Sequence, residues 1–218
     1  MANPMRDGLS LRQALRVYLV MGLGDGEAPA LEIAKLAIEG GVTMIQLREK
    51  KAPLHRVLSE GRALRELCRE RGVPFLVNDR VDVAMLLEAD GVHVGQDDIP
   101  YADARRLLGD VAIIGVSAGT PEEAAKAIDD GADYLGVGAV YATGTKADAG
   151  APIGTELIRG IRSKSAIPIV GIGGITADNA MNVIDAGADG IAVVSAITRA
   201  ADPRAAASAL RRIADDGR

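Results

Sequence analysis

The chain has one cysteine, Cys68, no tryptophan, one phenylalanine and two histidines among 218 residues. A single thiol excludes an intrachain disulfide, and its place in the helix-like run 63–68 reads as a buried thiol rather than a nucleophile. His55 and His93 with one cysteine make no zinc set. His55 opens a helix and reads as solvated, whereas His93 lies inside a strand and reads as a packed or hydrogen-bonded core residue. One phenylalanine and four tyrosines offer little surface for stacking bases, and a net charge of -5 without any basic block argues against nucleic acid as a main partner. No apolar run approaches the roughly 18 residues that span a bilayer. Residues 1–10, with Arg6 and Asp7, have no apolar segment leading to a small-residue cleavage site. A soluble, cytoplasmic protein without a membrane partner is the expectation.

What the chain does have is apolar content, 48%, ample for one core, and a length that suits one domain over 1–218. Residues 1–10 read as a flexible start and 215–218 as a fraying tail. Strand-like runs over 16–21, 44–48, 74–77, 91–94, 112–116, 134–137, 168–170 and 190–194 alternate with helix-period runs. The helices fall at 29–39, 54–71, 81–88, 101–108, 121–129, 155–162, 177–185 and 203–214. Eight strands strictly alternating with helices imply parallel pairing through right-handed crossovers. A chain of this length then favours a closed (β/α)8 TIM barrel over an open doubly wound sheet. Asp90, Asp133 and Asp189 each stand between a helix end and a strand, at the face that stabilises such barrels, and read as structural turns.

In such a barrel chemistry collects where the strands end. The second strand runs into Gln46-Leu47-Arg48-Glu49-Lys50, and alternation of side chains sends Gln46, Arg48 and Lys50 to one side. Cations at the end of a buried strand are costly without an anionic partner, which points to phosphate. Asn78-Asp79 follow the third strand, Asp97-Asp98 the fourth and Ser117 the fifth. Thr143, Gly144, Thr145 and Lys146 lie after the sixth, a glycine loop over 171–176 after the seventh, and Val194-Ser195 at the eighth. Asp79 with one of Asp97 and Asp98 makes a pair of carboxylates beside the cations, a set suited to Mg2+ held jointly by protein and substrate phosphate. Paired carboxylates for glycoside cleavage fit less well, because they leave the cations idle. The glycine loop has the wrong spacing for a dinucleotide fingerprint and reads as a second phosphate site. Two anion sites in one mouth imply two phosphorylated small-molecule substrates.

These segments, with Gly91-Val92-His93-Val94-Gly95-Gln96-Asp97-Asp98, Gly115-Val116-Ser117 and Val194-Ser195-Ala196-Ile197, occur in the order and spacing of one family. Over nearly its whole length the chain resembles the thiamine-phosphate synthases. The resemblance implies that Gln46, Arg48, Lys50, Asn78, Ser117 and Lys146 bind an aminopyrimidine diphosphate, and that Asp79 and Asp98 hold Mg2+. It assigns Thr143, Gly144, Thr145, Gly174, Val194 and Ser195 to a thiazole phosphate. It implies a dissociative transfer in which Arg48, Lys50, Ser117 and Lys146 serve the departing diphosphate; Gly144 and Gly150, as hinges, would let the loop over 139–153 close on the site. Ala142 stands where the family usually has proline, which leaves the ligand groups intact and the loop less rigidly held. The alternatives are a thiazole tautomerase on the same barrel and a non-catalytic regulatory barrel that binds a phosphorylated metabolite.

Overall fold

The computed structural model of the protein describes residues 8–145 and 150–217. Eight parallel strands close into a barrel in chain order. They are β1 (Val17–Met21), β2 (Met44–Leu47), β3 (Phe75–Asn78), β4 (Gly91–Val94), β5 (Ile113–Ala118), β6 (Tyr134–Val137), β7 (Ile169–Ile172) and β8 (Gly190–Val193). The helices are α1 (Gly8–Ala14), α2 (Ala30–Glu39), α3 (Leu54–Arg71), α4 (Val81–Leu86), α5 (Tyr101–Leu108), α6 (Pro121–Asp130), α7 (Glu156–Arg162), α8 (Ala180–Asp185), α9 (Ser195–Thr198) and α10 (Pro203–Asp216). None of them is long and apolar enough to cross a membrane. The expected barrel is present, with two helices added.

Strand alternation sorts the core into two layers. Val17, Leu19, Met21, Ile45, Leu47, Val77 and their equivalents face outward and pack under the helices. Tyr18, Val20, Met44, Leu76, Ile113, Tyr134, Val170 and Ala192 face inward, where they meet Leu11, Ala14 and Leu15. The last three place α1 and the residue after it across the N-terminal opening of the barrel. The carbonyl of Leu15 approaches β8 so closely that a Cβ at Gly190 would lie 1.8 Å from it, which only glycine avoids. Of the start expected to be flexible, residues 8–10 belong to α1 and the first seven lie outside the described residues. In the expected tail, Asp215 lies in the last turn of α10 and pairs with Arg16 (2.9 Å) and Arg211 (2.8 Å), and Arg218 lies outside the described residues.

Helix ends follow local chemistry. Thr120 and Asp202 cap α6 and α10 by accepting from the amides of Glu123 and Ala205, each with proline at the next position. Gly72, at φ +64, ends α3 in a left-handed turn in which Val73 N donates to Cys68 O. The helix boundary that departs furthest from expectation is that of α8, which starts at Ala180 rather than 177. The Asn179 carboxamide accepts from Thr176 N (2.9 Å) and donates to Gly174 O (3.0 Å), which holds 176–179 as a turn instead of helix.

At the N-terminal ends of the strands one device repeats. Asp90, Asp133 and Asp189 each accept from the amide at the start of the preceding strand: Phe75 (2.8 Å), Ile114 (2.8 Å) and Ile169 (2.9 Å). Each also pairs with an arginine of the helix before that strand: Arg65, Arg105 and Arg162. These aspartates are structural locks, as their position in the sequence suggests. In the first strand pair Thr43 stands in the equivalent place, its hydroxyl accepting from Val17 N at 2.9 Å.

Candidate active site

The C-terminal ends of β2, β3 and β4 adjoin through the barrel register. Arg48 follows β2 and is fixed by its amide, which donates to Met21 O at 2.8 Å. Glu49 holds the next turn: its carboxylate accepts from the amides of Leu23 (3.0 Å), Lys51 (2.7 Å) and Ala52 (3.0 Å). Partial burial opposes ionisation of Glu49, but these hydrogen bonds outweigh it and keep the carboxyl below its ordinary range. The turn presents Lys50, whose ammonium lies 2.7 Å from the Asp79 carboxylate. Asp79 itself sits at φ +61, in a three-residue turn where Arg80 N donates to Asn78 O at 2.7 Å. A side chain held in that region is strained, and such strain clusters where a group must be aimed. Lys50 and Asn78 also line a cavity of about 100 Å³ together with Arg80, which the sequence reading did not single out.

From β4 the chain returns Asp98 to the same spot. Its carboxylate accepts from Gly95 N (2.8 Å) and lies within hydrogen-bonding reach of Asp79, whereas Asp97 is exposed. Burial raises the Asp98 pKa, and the neighbouring Asp79 carboxylate raises it further against a smaller opposing pull from Lys50. Two carboxylates facing each other resist joint ionisation unless a cation joins them. Both are hard oxygen donors at the end of a strand, a chemistry that fits Mg2+. Among the described residues no group of three or more metal-binding side chains occurs. An ion at this place would take its remaining ligands from substrate oxygens or water.

Deeper in the mouth, Gln46 is 3% exposed and donates through Nε2 to the Tyr18 hydroxyl at 2.6 Å. Ser117, from β5, has its Oγ 2.9 Å from His93 Nε2. His93 is thus a hydrogen-bonded interior residue, and Tyr18 and Tyr134 are polar interior groups that sequence reasoning passed over. Their signal was present: in a chain with four tyrosines, two fall at inward positions of strands.

On the opposite side, the segments after β6 and β7 lie against each other. Val140 N donates to Ile172 O (2.8 Å) and Tyr141 N to Gly173 O (2.9 Å). Gly174 has φ +66, and a Cβ there would meet Ala142 O at 2.5 Å, so the close approach requires glycine. Thr143 accepts from Thr145 N at 3.2 Å, and Gly144 between them is exposed. Val194 leads from β8 into the short α9, where Ser195 is exposed. Bonds from Ile153 N to Ala139 O (2.9 Å) and Gly154 N to Val140 O (3.0 Å) tie the base of the long loop. Lys146 lies outside the described residues. The remaining residues selected from the sequence share one rim; Lys50 and Asp98 each touch Asp79, and Gly174 touches the β6 segment.

The model of a family described as thiamine monophosphate synthase matches residues 17–197. A thiamine-phosphate synthase of Moorella thermoacetica is 56% identical over 199 residues, covering 91% of this chain and 94% of the relative. That of Haloarcula marismortui is 53% identical over 190 residues, 86% of this chain and 90% of the relative. Among solved structures, a thiamine phosphate pyrophosphorylase from Pyrococcus furiosus superposes with a TM-score of 0.86 at 43% identity, covering 95% of this chain and 98% of that one.

Proposed function

The chain belongs to the thiamine monophosphate synthase family and is a transferase that forms thiamine phosphate, and from that premise we propose how its rim performs the reaction. The substrates are 4-amino-5-hydroxymethyl-2-methylpyrimidine diphosphate and 4-methyl-5-(2-phosphoethyl)thiazole. The bond between the pyrimidine methylene carbon and the diphosphate oxygen breaks, and its electron pair leaves with pyrophosphate. The thiazole nitrogen then donates its lone pair to the methylene cation and closes the new C–N bond. No protein nucleophile is needed, so catalysis falls to fixed charges and donors. Arg48, Lys50, Lys146 and the Ser117 hydroxyl meet the diphosphate, and Gln46 and Asn78 orient the pyrimidine. Asp79 and Asp98 hold Mg2+, which when bound neutralises charge that develops on the leaving diphosphate. Thr143, Gly144, Thr145, Gly174, Val194 and Ser195 receive the thiazole phosphate, in the position after strands seven and eight where barrels commonly take phosphate.

The observation that carries this reading is Asp79 with a neighbour on each side: the Lys50 ammonium at 2.7 Å and the facing Asp98 carboxylate, with Asp79 in a strained turn. Such a set costs stability and suits a divalent ion with a diphosphate. No observation favours the tautomerase or the regulatory barrel, neither of which has a departing diphosphate to neutralise. Because its substrates carry phosphate groups that do not cross a bilayer unaided, the compartment we propose is the cytoplasm.

The direct test supplies purified protein with both substrates and Mg2+ and measures thiamine phosphate and pyrophosphate. Asp98→Ala should reduce turnover about a hundredfold or more, as loss of a main electrostatic stabiliser does, and alter its Mg2+ dependence. Gly174→Ala, which drives a Cβ toward Ala142 O, should raise KM for the thiazole phosphate selectively. Absence of product from well-folded protein would remove the synthase mechanism, and unchanged kinetics in Asp98→Ala would remove the metal assignment.

A further inference from the structure

Beneath the rim, five polar side chains from five strands join into one buried line across the barrel. Gln46 Nε2 donates to Tyr18 Oη at 2.6 Å, and Tyr18 Oη lies 3.0 Å from Tyr134 Oη. Tyr134 Oη is 2.9 Å from His93 Nδ1, and His93 Nε2 is 2.9 Å from Ser117 Oγ. The tyrosines are 1% and 0% exposed, so water does not compete along the middle of the line. The fold makes room for it at two inward glycines. A Cβ at Gly115 would lie 2.1 Å from the Tyr134 ring, and one at Gly136 would lie 2.7 Å from the His93 ring.

The line has a direction. The carboxamide NH2 of Gln46 can only donate, so Tyr18 Oη accepts from it. If Tyr18 then donates to Tyr134, Tyr134 donates to His93 Nδ1 and His93 Nε2–H donates to Ser117 Oγ. Every proton in the interior has an acceptor, and the Ser117 proton is left for the mouth. In the opposite direction Ser117 donates to His93, His93 Nδ1–H to Tyr134 and Tyr134 to Tyr18. With Gln46 Nε2 placed toward it, Tyr18 Oη would then accept twice and its own buried proton would have no acceptor among the described residues, so this direction requires the carboxamide to turn its oxygen to Tyr18 instead.

We infer that Tyr18, Tyr134 and His93 are positioning residues: a one-way hydrogen-bond line, polarised by Gln46, that holds Ser117 as a hydrogen-bond donor toward an acceptor atom of the bound pyrimidine diphosphate. The inference rests on the function proposed above for its ligand, but the direction of the line belongs to the protein alone. Burial pushes both phenols well above their ordinary range, which keeps them protonated and able to donate. A serine fixed as a donor serves a departing anion; one fixed as an acceptor would repel it.

The chain has two histidines, and His55 is exposed at the start of α3. In His55→Gln protein labelled with 15N-histidine, the ring of His93 is the only imidazole signal, and its nitrogen shifts report the tautomer at neutral pH without ligand. The parent line should show the proton on Nε2. Gln46→Glu replaces the donor with an acceptor and should move that proton to Nδ1, whereas Tyr134→Phe should leave a mixture. In the transfer assay Tyr134→Phe and Tyr18→Phe should each lower kcat by about tenfold with KM for the thiazole phosphate unchanged, less than the ~100-fold or greater loss of a direct donor. A His93 protonated at Nδ1 in the parent overturns the inference whatever the activity. Unchanged kcat in both tyrosine variants overturns the positioning role. A parent that shows the Nε2 tautomer but makes no thiamine phosphate counts against the function and leaves the direction of the line supported.

Discussion

The lock at Asp133 allows stability to be separated from activity. Its side chain is 8% exposed and that of Arg105 is 14% exposed, with 2.7 Å between them, so Asp133→Ala breaks a buried ion pair and also leaves the Ile114 amide without its 2.8 Å acceptor. Breaking a buried pair typically costs about 3–5 kcal/mol. Arg105 keeps its bonds to Gly109 O (2.8 Å) and Ala112 O (2.7 Å) and its place over the Tyr101 ring, which sets the expectation near the lower end, about 3 kcal/mol. For a domain of this size that is a fall in Tm of about 6–12 °C. Asp90 performs the same task with side chains 29% and 22% exposed and a 3.2 Å contact, so Asp90→Ala should cost about half as much. Urea unfolding followed by circular dichroism gives both values, and turnover is measured at a temperature where each variant is folded. Because the locks lie at the end of the barrel away from the rim, kcat should hold in both. Asp133→Ala within about 1 kcal/mol of the parent, or less costly than Asp90→Ala, would refute the reasoning from burial. A loss of kcat in folded variant would refute the separation of the two faces.

Asp98 holds its proton more tightly folded than unfolded, so its contribution to stability is full below the unfolded pKa and is lost as pH rises through the folded one. At neutral pH without divalent cations, Asp98→Asn should therefore raise Tm above that of the parent, and Mg2+ should raise Tm of the parent only; an equal Mg2+ response in both would count against the cation site. Glu49 has the opposite sign: its lowered pKa gives stability that is present above the ordinary value of 4.5 and lost as pH falls through the folded one. The gap in urea midpoint between parent and Glu49→Gln should be constant from pH 7 to 5 and close in stronger acid, and a gap that ignores pH would contradict the anchoring role. Burial pushes the Cys68 thiol up to about 12, so a disulfide reagent at pH 8 should label it only on unfolding, and rapid labelling of native protein would show that α3 does not shield it.

The barrel was legible because strand runs and helix periods alternate without interruption, and because the unusual residues fall just after the strands. Side-chain alternation already put Gln46 and Leu47 on opposite sides of β2; Leu47 packs in the outer layer, and Gln46 meets Tyr18 inside. Spacing could not choose between Asp97 and Asp98, since the choice lies in which one turns back to the Gly95 amide. The helix at 8–14 was missed because its reason is tertiary: Leu11, Ala14 and Leu15 fill the barrel end and have no local partner. The turn at 176–179 was read as helix because Asn179 supplies, through its side chain, contacts that propensity does not weigh. Nothing local links Tyr18 to Tyr134, and only closure of the barrel brings β1 and β6 face to face across its axis.

The stopper that Leu11, Ala14 and Leu15 make closes the N-terminal end over the packed inner layer, so among the described residues a ligand approaches the strands from the rim. Gln46 sits near the bottom of what is accessible, while Gly144 and Ser195 stand at the lip. A ligand group seated against Gln46 would lie beneath one seated at the lip. On the function proposed above, ordered addition with the pyrimidine diphosphate first is the pattern expected in initial-rate kinetics.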